Sequence, residues 1–207
     1  MTDKPSLEGA YGLKTPDDNR RLYRDWAATY DTDFVAAMDY RLPVAVAEAF
    51  AAVGAGPVLD VGAGTGAVGM LLRANGTAPV DGTDISPEML EVAGRSGAYR
   101  RLFEGDVLAR LDVEDSSYSG IVSAGTFTLG HVGPNALTEL LRIAAPGALF
   151  VLSINTQHYV RAGFAPALAA LSSRIDRLSL PEVPIYGPGA TGPHAADRAY
   201  VATFRKR

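Results

Sequence analysis

Directly after the short apolar run Val58 to Val61, the sequence places glycines at three alternate positions, Gly62, Gly64 and Gly66. Glycine there lets the backbone turn tightly and lets a ligand approach the main chain with no Cβ in the way. Two carboxylates flank this loop. Asp84 lies roughly 20 residues beyond it, where a carboxylate can accept hydrogen bonds from ribose hydroxyls. That position fits either a dinucleotide or an adenosine ligand. Asp60 lies two residues before the first glycine. A carboxylate there would repel a pyrophosphate but attract an amino group, so Asp60 favours a ligand that carries positive charge. Taken alone, Gly62-Ala63-Gly64-Thr65-Gly66-Ala67 also satisfies the relaxed dinucleotide fingerprint, with Ala67 as the third small residue.

Candidate bases are few. His131, in Thr128-Leu129-Gly130-His131-Val132, stands near where a substrate could enter, and is the catalytic candidate. His158 follows a later apolar run, and His194 sits in a Gly/Pro-rich loop where exposure to solvent is expected. There is no cysteine, which removes disulfides, thiolate metal sites and cysteine nucleophiles together. No cluster with metal-ligand spacing is visible.

The elements that must position these residues follow from periodicity. Residues 17 to 53 read as helices, broken near Asp31–Asp33 and at Pro43, with Val44 to Val53 expected to be buried. From Pro57 short apolar runs alternate with helical stretches. Strands are expected at Val58–Val61, Pro79–Thr83, Tyr99–Glu104, Gly120–Ala124 and Ala148–Ile154. Val68, Leu71 and Leu72 give one helical face, and Ser86-Pro87-Glu88 starts another helix, with Met89, Val92 and Ala93 inward. Further helices are expected from Asn135 to Ala144, stopped by Pro146-Gly147, and over Gly163–Leu178. Val183–Tyr186 and Tyr200–Phe204 are short strand candidates separated by the loop Gly187–Pro193. The alternation predicts an α/β fold: a mostly parallel sheet with helices on both faces, an antiparallel C-terminal hairpin and a helical N-terminal cap. The expected organisation is one domain over 1–207, with the cap at 1–55 and the core at 56–207.

Four segments now meet a known family. Val58-Leu59-Asp60-Val61-Gly62-Ala63-Gly64-Thr65-Gly66 resembles motif I of the class I S-adenosylmethionine-dependent methyltransferases. Gly82-Thr83-Asp84-Ile85-Ser86-Pro87-Glu88-Met89-Leu90 resembles their second-strand motif, and Gly105-Asp106 their adenine-proximal element. Leu140 to Ala148 is similar to the helix and Pro-Gly turn before their fifth strand, with Ala148 where a second glycine is usual. Upstream, Trp26-Ala27-Ala28-Thr29-Tyr30-Asp31 and Asp39-Tyr40-Arg41 are similar to the opening of the Williams-Beuren-region methyltransferase-like proteins. The resemblance implies a Rossmann-like, seven-stranded sheet, S-adenosylmethionine as methyl donor and S-adenosylhomocysteine as product. It carries the methionine portion of the donor onto Gly62, Ala63, Gly64 and Gly66, with Asp60 helping to hold its ammonium through a hydrogen bond or water. It gives the ribose to Asp84, and adenine to Ile85, Met89, Asp106 and Val107. Ala124 and Gly125 fall beneath the sulfonium, with Tyr30 reaching the donor's carboxylate and Trp26 as a nearby wall.

Methyl transfer from a sulfonium needs alignment and exclusion of water, and a base only when the acceptor must lose a proton. Ser123-Ala124-Gly125-Thr126-Phe127 lacks the Asp/Asn-Pro-Pro-aromatic motif that holds a flipped base, and a net charge of -4 gives no basic field for a nucleic-acid backbone. The expected acceptor is a small molecule. Two other readings stand beside this one: a catalytically silent protein that binds the donor and acts through a partner, and an NAD(P)-dependent oxidoreductase. The second lacks a placed Tyr-Lys pair, since the lysines are Lys4, Lys14 and Lys206. No secretory leader is expected in Met1 to Lys14, nor any membrane span, so a cytoplasmic location is expected. Composition leaves the oligomeric state open.

Overall fold

The computed structural model describes residues 6–207. Two helices open it, α1 (Leu7–Tyr11) and α2 (Pro16–Trp26). Pro16 occupies the first turn of α2, where no N–H is needed, and a capping box closes the end. In it Thr15 Oγ1 accepts from Asp18 N–H and Asp18 Oδ2 accepts from Thr15 N–H, both at 3.1 Å. The break expected near Asp31–Asp33 is a π-helical turn, Asp31–Ala36, and α3 (Leu42–Ala51) begins with Pro43 in its first turn.

The alternating region follows as β1 (Val58–Val61), α4 (Ala67–Ala74), β2 (Val80–Asp84), α5 (Pro87–Gly94), β3 (Arg101–Glu104), β4 (Tyr118–Phe127), α6 (Ala136–Ile143) and β5 (Ala144–Asn155). The chain ends with α7 (Thr156–Arg161), α8 (Phe164–Ala170), β6 (Ile175–Ser179), β7 (Glu182–Pro184) and β8 (Arg198–Lys206). The sheet order is β3-β2-β1-β4-β5-β8-β6, with the first five strands parallel and β8 antiparallel to β5 and β6. β7 pairs with the other end of β8, at Glu182↔Tyr200. The sheet therefore has seven positions, and its last is shared by two short strands broken at Leu180-Pro181.

Alternation along the strands divides the core between two faces. Leu59, Ile121, Phe150 and Leu152 point toward Leu137, Leu140 and Leu141 of α6 and Phe164 of α8. Val58, Val122, Leu149 and Val151 point the other way, onto Val46 and Phe50 of α3 and Val68 and Leu72 of α4. Phe50 is fully buried, worth about 2 kcal/mol or more in removed apolar surface. Gly120 leaves room for its ring, since a Cβ there would collide with it. Helix α3 thus covers the sheet and belongs to the layered core, although the sequence groups it with the cap. Val44 and Val53, expected inside, are exposed at its ends.

Two other expectations change. The helix predicted over Gly163–Leu178 is only α8; Leu168, Leu171, Ile175 and Leu178 mimic helical spacing, but Ile175 instead pairs with Lys206 as the first residue of β6. Pro146-Gly147 does not stop α6. That helix ends at Ile143, and β5 has already begun at Ala144, paired with Tyr118. On α5 the inward residues are Met89, Leu90 and Ala93, with Val92 only partly covered.

Strand order reverses at β1, with β2 on one side and β4 on the other. Connections leave such a point in opposite directions and open a crevice at the carboxyl ends of the strands. Helices α1 and α2, the π-helical turn and Tyr186 close over it. No described helix is long and apolar enough to cross a membrane.

Candidate cofactor and acceptor site

The crevice holds a cavity of about 230 Å3. At its base the glycine loop is pinned to β2, where Gly62 and Ala63 both donate to Thr83 O, at 2.8 and 3.0 Å. Gly62, Gly64 and Gly66 have φ of +67°, +53° and +97°. These are left-handed conformations open mainly to glycine. Gly62 is doubly constrained, because a Cβ would strike Thr126 Oγ1, whereas nothing lies within 4 Å of a Cβ at Gly64. Thr65 Oγ1 donates to Asp31 Oδ1 at 2.6 Å, tying the loop to the π-helical turn above it.

Asp84 ends β2 beside this loop. Its Oδ2 accepts from Gly64 N–H at 2.8 Å and its Oδ1 from Ser86 N–H at 2.9 Å, which fixes the carboxylate with lone pairs left over. Burial raises its pKa, and those two amides act in the opposite direction. Ile85, Met89, Asp106 and Val107 continue the wall from there. Asp106 Oδ1 accepts from Leu108 N–H at 2.9 Å, so this residue both shapes its loop and lines the cavity.

The structure brings Trp26, Tyr30, Gly62, Gly64, Asp84, Ile85, Met89, Asp106, Val107, Ala124, Gly125 and His131 together around one cavity. Ala63 and Gly66 shape the loop but do not line the cavity, and neither does Asp60. Its carboxyl is wholly buried behind the loop, where Tyr99 donates to Oδ2 at 2.7 Å and Oδ1 has no partner among the described residues. Burial pushes its pKa up to about 7, against the hydrogen bond from Tyr99 and with the Asp84 charge. With no exposed surface, Asp60 stands behind the loop and is not part of the cavity wall.

His131 is part of a hydrogen-bonded pair. Its Nδ1 lies 2.8 Å from Leu129 O, so it carries the proton, and its Nε2 lies 2.7 Å from the Tyr23 hydroxyl. Tyr23 therefore donates to His131. Enclosure by protein lowers the His131 pKa to about 4, and the imidazole is neutral at ordinary pH. His158 does not reach the cavity; it is buried, with Nε2 on Val132 O at 2.9 Å and its ring edge-on to Phe164. His194, expected in solvent, is partly covered, held by Asp197 at 3.0 Å with its ring edge-on to Tyr11 at 4.8 Å.

Sequence reasoning missed most of the far end of the cavity. Tyr11, Tyr23, Tyr40 and Tyr186 line it together with Thr128, Ser153 and Asn155. Tyr40 Oη lies against Gly125, where a Cβ would collide with it. Burial raises the Tyr11 pKa, and its hydroxyl faces Tyr186, Thr128 and Asn155. Trp26 Nε1 and Asn155 Nδ2, in the cavity wall, are buried donors without a partner among the described residues. Helix α2 roofs both halves: Asn19 Nδ2 donates to Gly130 O at 3.3 Å on the β4 side, and Arg20 Nε lies 3.9 Å from Glu104 Oε1 at the end of β3.

This chemistry fits an adenosyl sulfonium better than a dinucleotide. Asp84 offers acceptors for ribose, an apolar slot of Ile85, Met89 and Val107 lies beside Asp106, and among the described residues Lys14 is the one lysine or arginine that lines the cavity. Comparison with known proteins agrees. Residues 58–147 match a family model described as a methyltransferase domain. The human methyltransferase-like protein 27 is 31% identical over 184 residues, covering 84% of this chain and 72% of its own. The chain belongs to the class I S-adenosylmethionine-dependent methyltransferases. Solved structures share the methyltransferase fold at low identity. The [4+2]-cyclase SpnF has a TM-score of 0.70 at 16% identity, covering 94% of this chain and 97% of its own. DhpI in complex with S-adenosylhomocysteine has a TM-score of 0.65 at 22% identity, covering 97% and 98%. The methyltransferase's cofactor is S-adenosylmethionine, with S-adenosylhomocysteine as product.

Proposed function

We propose that this methyltransferase transfers its methyl group by direct displacement to a small molecule held among Tyr11, Tyr23, Tyr40 and Tyr186. The observation that carries the reading is the continuity of the cavity past Ala124 and Gly125 into a space lined by tyrosines. A protein that only bound the cofactor would need no such room beyond the sulfonium. S-adenosylmethionine supplies an activated methyl with a neutral leaving group, so the protein's task is alignment and exclusion of water. Gly62 and Gly64 present the loop to the methionine portion, Tyr30 stands toward its carboxylate, Asp84 takes the ribose, and Ile85, Met89, Asp106 and Val107 take adenine. The roof of α1 and α2 keeps the acceptor end dry. Enclosure on this scale suits a small acceptor, while a nucleic acid or folded protein would need an open face. In this reading the chain works as one domain in the cytoplasm.

Calorimetric titration with S-adenosylhomocysteine, S-adenosylmethionine and NAD, on the wild type and Asp84→Ala, tests the cofactor half. Transfer of a tritiated methyl group into a cell extract, separated into filtrate and retained protein, tests the acceptor half. Label in the filtrate supports a small acceptor. Label only on protein or nucleic acid would overturn it, and cofactor binding without transfer anywhere would favour the silent binding protein.

A further inference from the structure

The Tyr23–His131 pair has a direction. Because His131 Nδ1 carries its proton toward Leu129 O, Nε2 has only a lone pair, and the Tyr23 proton points into it. The Tyr23 oxygen can then offer the cavity lone pairs alone, as an acceptor of a hydrogen bond. Its place is the junction of the two halves of the site: its ring lies edge-on to Tyr30 at 6.1 Å, and its hydroxyl meets His131. The aromatic ring is held by Trp26, stacked at 6.3 Å with an interplanar angle of 14°. Among the described residues the carboxylates that line the cavity are Asp84 and Asp106, both at the cofactor end, so none lines the end beyond Tyr23 to pair with a cationic acceptor. The lining around Tyr23 is mainly aromatic and aliphatic, with Leu7, Ala10 and Ile185.

We propose that Tyr23 and His131 form a proton relay for an uncharged hydroxyl acceptor with an aromatic body, a phenol, which Tyr23 touches and His131 serves through it. The inference rests on the methyltransferase reading above. The phenol oxygen uses a lone pair to bond the methyl carbon as the carbon–sulfur bond breaks, its electron pair staying on sulfur. The phenol proton passes to Tyr23 Oη while the proton of Tyr23 moves to His131 Nε2, and the imidazolium later releases it to water. A weak base suffices, because a hydroxyl becomes strongly acidic as its oxygen is alkylated. Tyr23 is the catalytic residue in this scheme, and His131 positions and drains it.

The test uses purified protein, a series of para-substituted phenols from 4-methylphenol to 4-nitrophenol, and formation of S-adenosylhomocysteine as readout. 4-Methylphenol has an ordinary phenolic pKa of about 10 and depends on a base, whereas 4-nitrophenol ionises near neutral pH unaided. Tyr23→Phe keeps the ring and its stacking. It is expected to lower kcat on 4-methylphenol about 100-fold, with KM and S-adenosylhomocysteine affinity changed less than about threefold, and to cost less than about fivefold on 4-nitrophenol. His131→Ala should follow the same pattern. Nitrogen-15 NMR of labelled histidine reads the pair independently of turnover. It should find His131 as the neutral Nδ1–H tautomer across about pH 5.5 to 8, the groups around it being Tyr23 on α2, His158 on α7 and the Leu129 carbonyl. Equal losses across the phenol series would overturn the relay. So would turnover of amines or thiols but no phenol by a protein that binds S-adenosylhomocysteine, or a His131 that titrates near about 6.5. Failure to bind S-adenosylhomocysteine would instead sink the methyltransferase reading, and the relay with it.

Discussion

Replacing Asp60 by asparagine probes the electrostatics beneath the glycine loop. In the unfolded chain this carboxyl has a pKa of 3.8, and in the fold burial moves it to about 7. A carboxyl that holds its proton more tightly when folded adds stability below the unfolded value and loses it as the pH rises through the folded one. The gap between 3.8 and about 7, at about 1.36 kcal/mol per pKa unit, is worth about 4 kcal/mol. The amide of Asp60→Asn would keep an oxygen to accept from Tyr99 and carry no charge, so it removes this dependence. Asp18, Asp115 and Glu139, whose pKa values their partners lower, act with the opposite sign but are common to both proteins and cancel. Urea unfolding of both proteins between about pH 4 and pH 8 is the assay. The variant should gain about 4 kcal/mol relative to wild type as the pH rises across that window. Because Asp60 does not reach the cavity, S-adenosylhomocysteine affinity should change less than about threefold at about pH 6. A stability difference independent of pH would refute the burial argument, and a large loss of affinity would return Asp60 to direct contact with the cofactor.

Asp84→Asn weakens acceptance from Gly64 and Ser86 and, in the proposed reading, from the ribose hydroxyls, and should raise the calorimetric Kd for S-adenosylhomocysteine about 10- to 100-fold. Gly62→Ala combines a left-handed φ with a collision against Thr126 and should cost about 3 kcal/mol in denaturant unfolding; Gly64→Ala, with the same handedness but open space, should cost about 1 kcal/mol. Thr65→Val removes the bond to Asp31. Hydrogen exchange should then quicken in the turn Asp31–Ala36 while the β1 and β4 amides stay protected, with about 1 kcal/mol lost overall.

The sequence was most legible where one physical rule acted alone. Val58–Val61 before glycines, Ser86-Pro87 before an apolar face and the unbroken run from Ala148 each admitted one local structure, and all three formed as expected. It was least legible where tertiary partners overrode spacing. Ile175 and Leu178 continue the helical period of α8, but β8 needed an edge partner and took Ile175 into β6. Much of the end expected to hold the cofactor lies in short contiguous motifs, Gly62 to Gly64, Asp84 to Met89 and Asp106-Val107, and could be read from them. The far end is assembled from Tyr11, Tyr23, Tyr40, Asn155 and Tyr186, which come from five separate elements or loops and share no spacing. The direction of the Tyr23–His131 bond was invisible, since it depends on the carbonyl of Leu129 fixing one ring nitrogen.

From two consecutive residues helix α2 reaches both sides of the crevice, Asn19 to Gly130 at the β4 side and Arg20 toward Glu104 at the end of β3. A lid shared by two ligands makes each a partner in the other's equilibrium. Whatever free energy the cofactor spends in settling α2 is no longer required of the acceptor, and the reverse holds by the same factor. If a small acceptor binds there as proposed, ordered addition, slow escape of a product held under the same helix and an acceptor affinity that depends on cofactor would be one property of the roof rather than three.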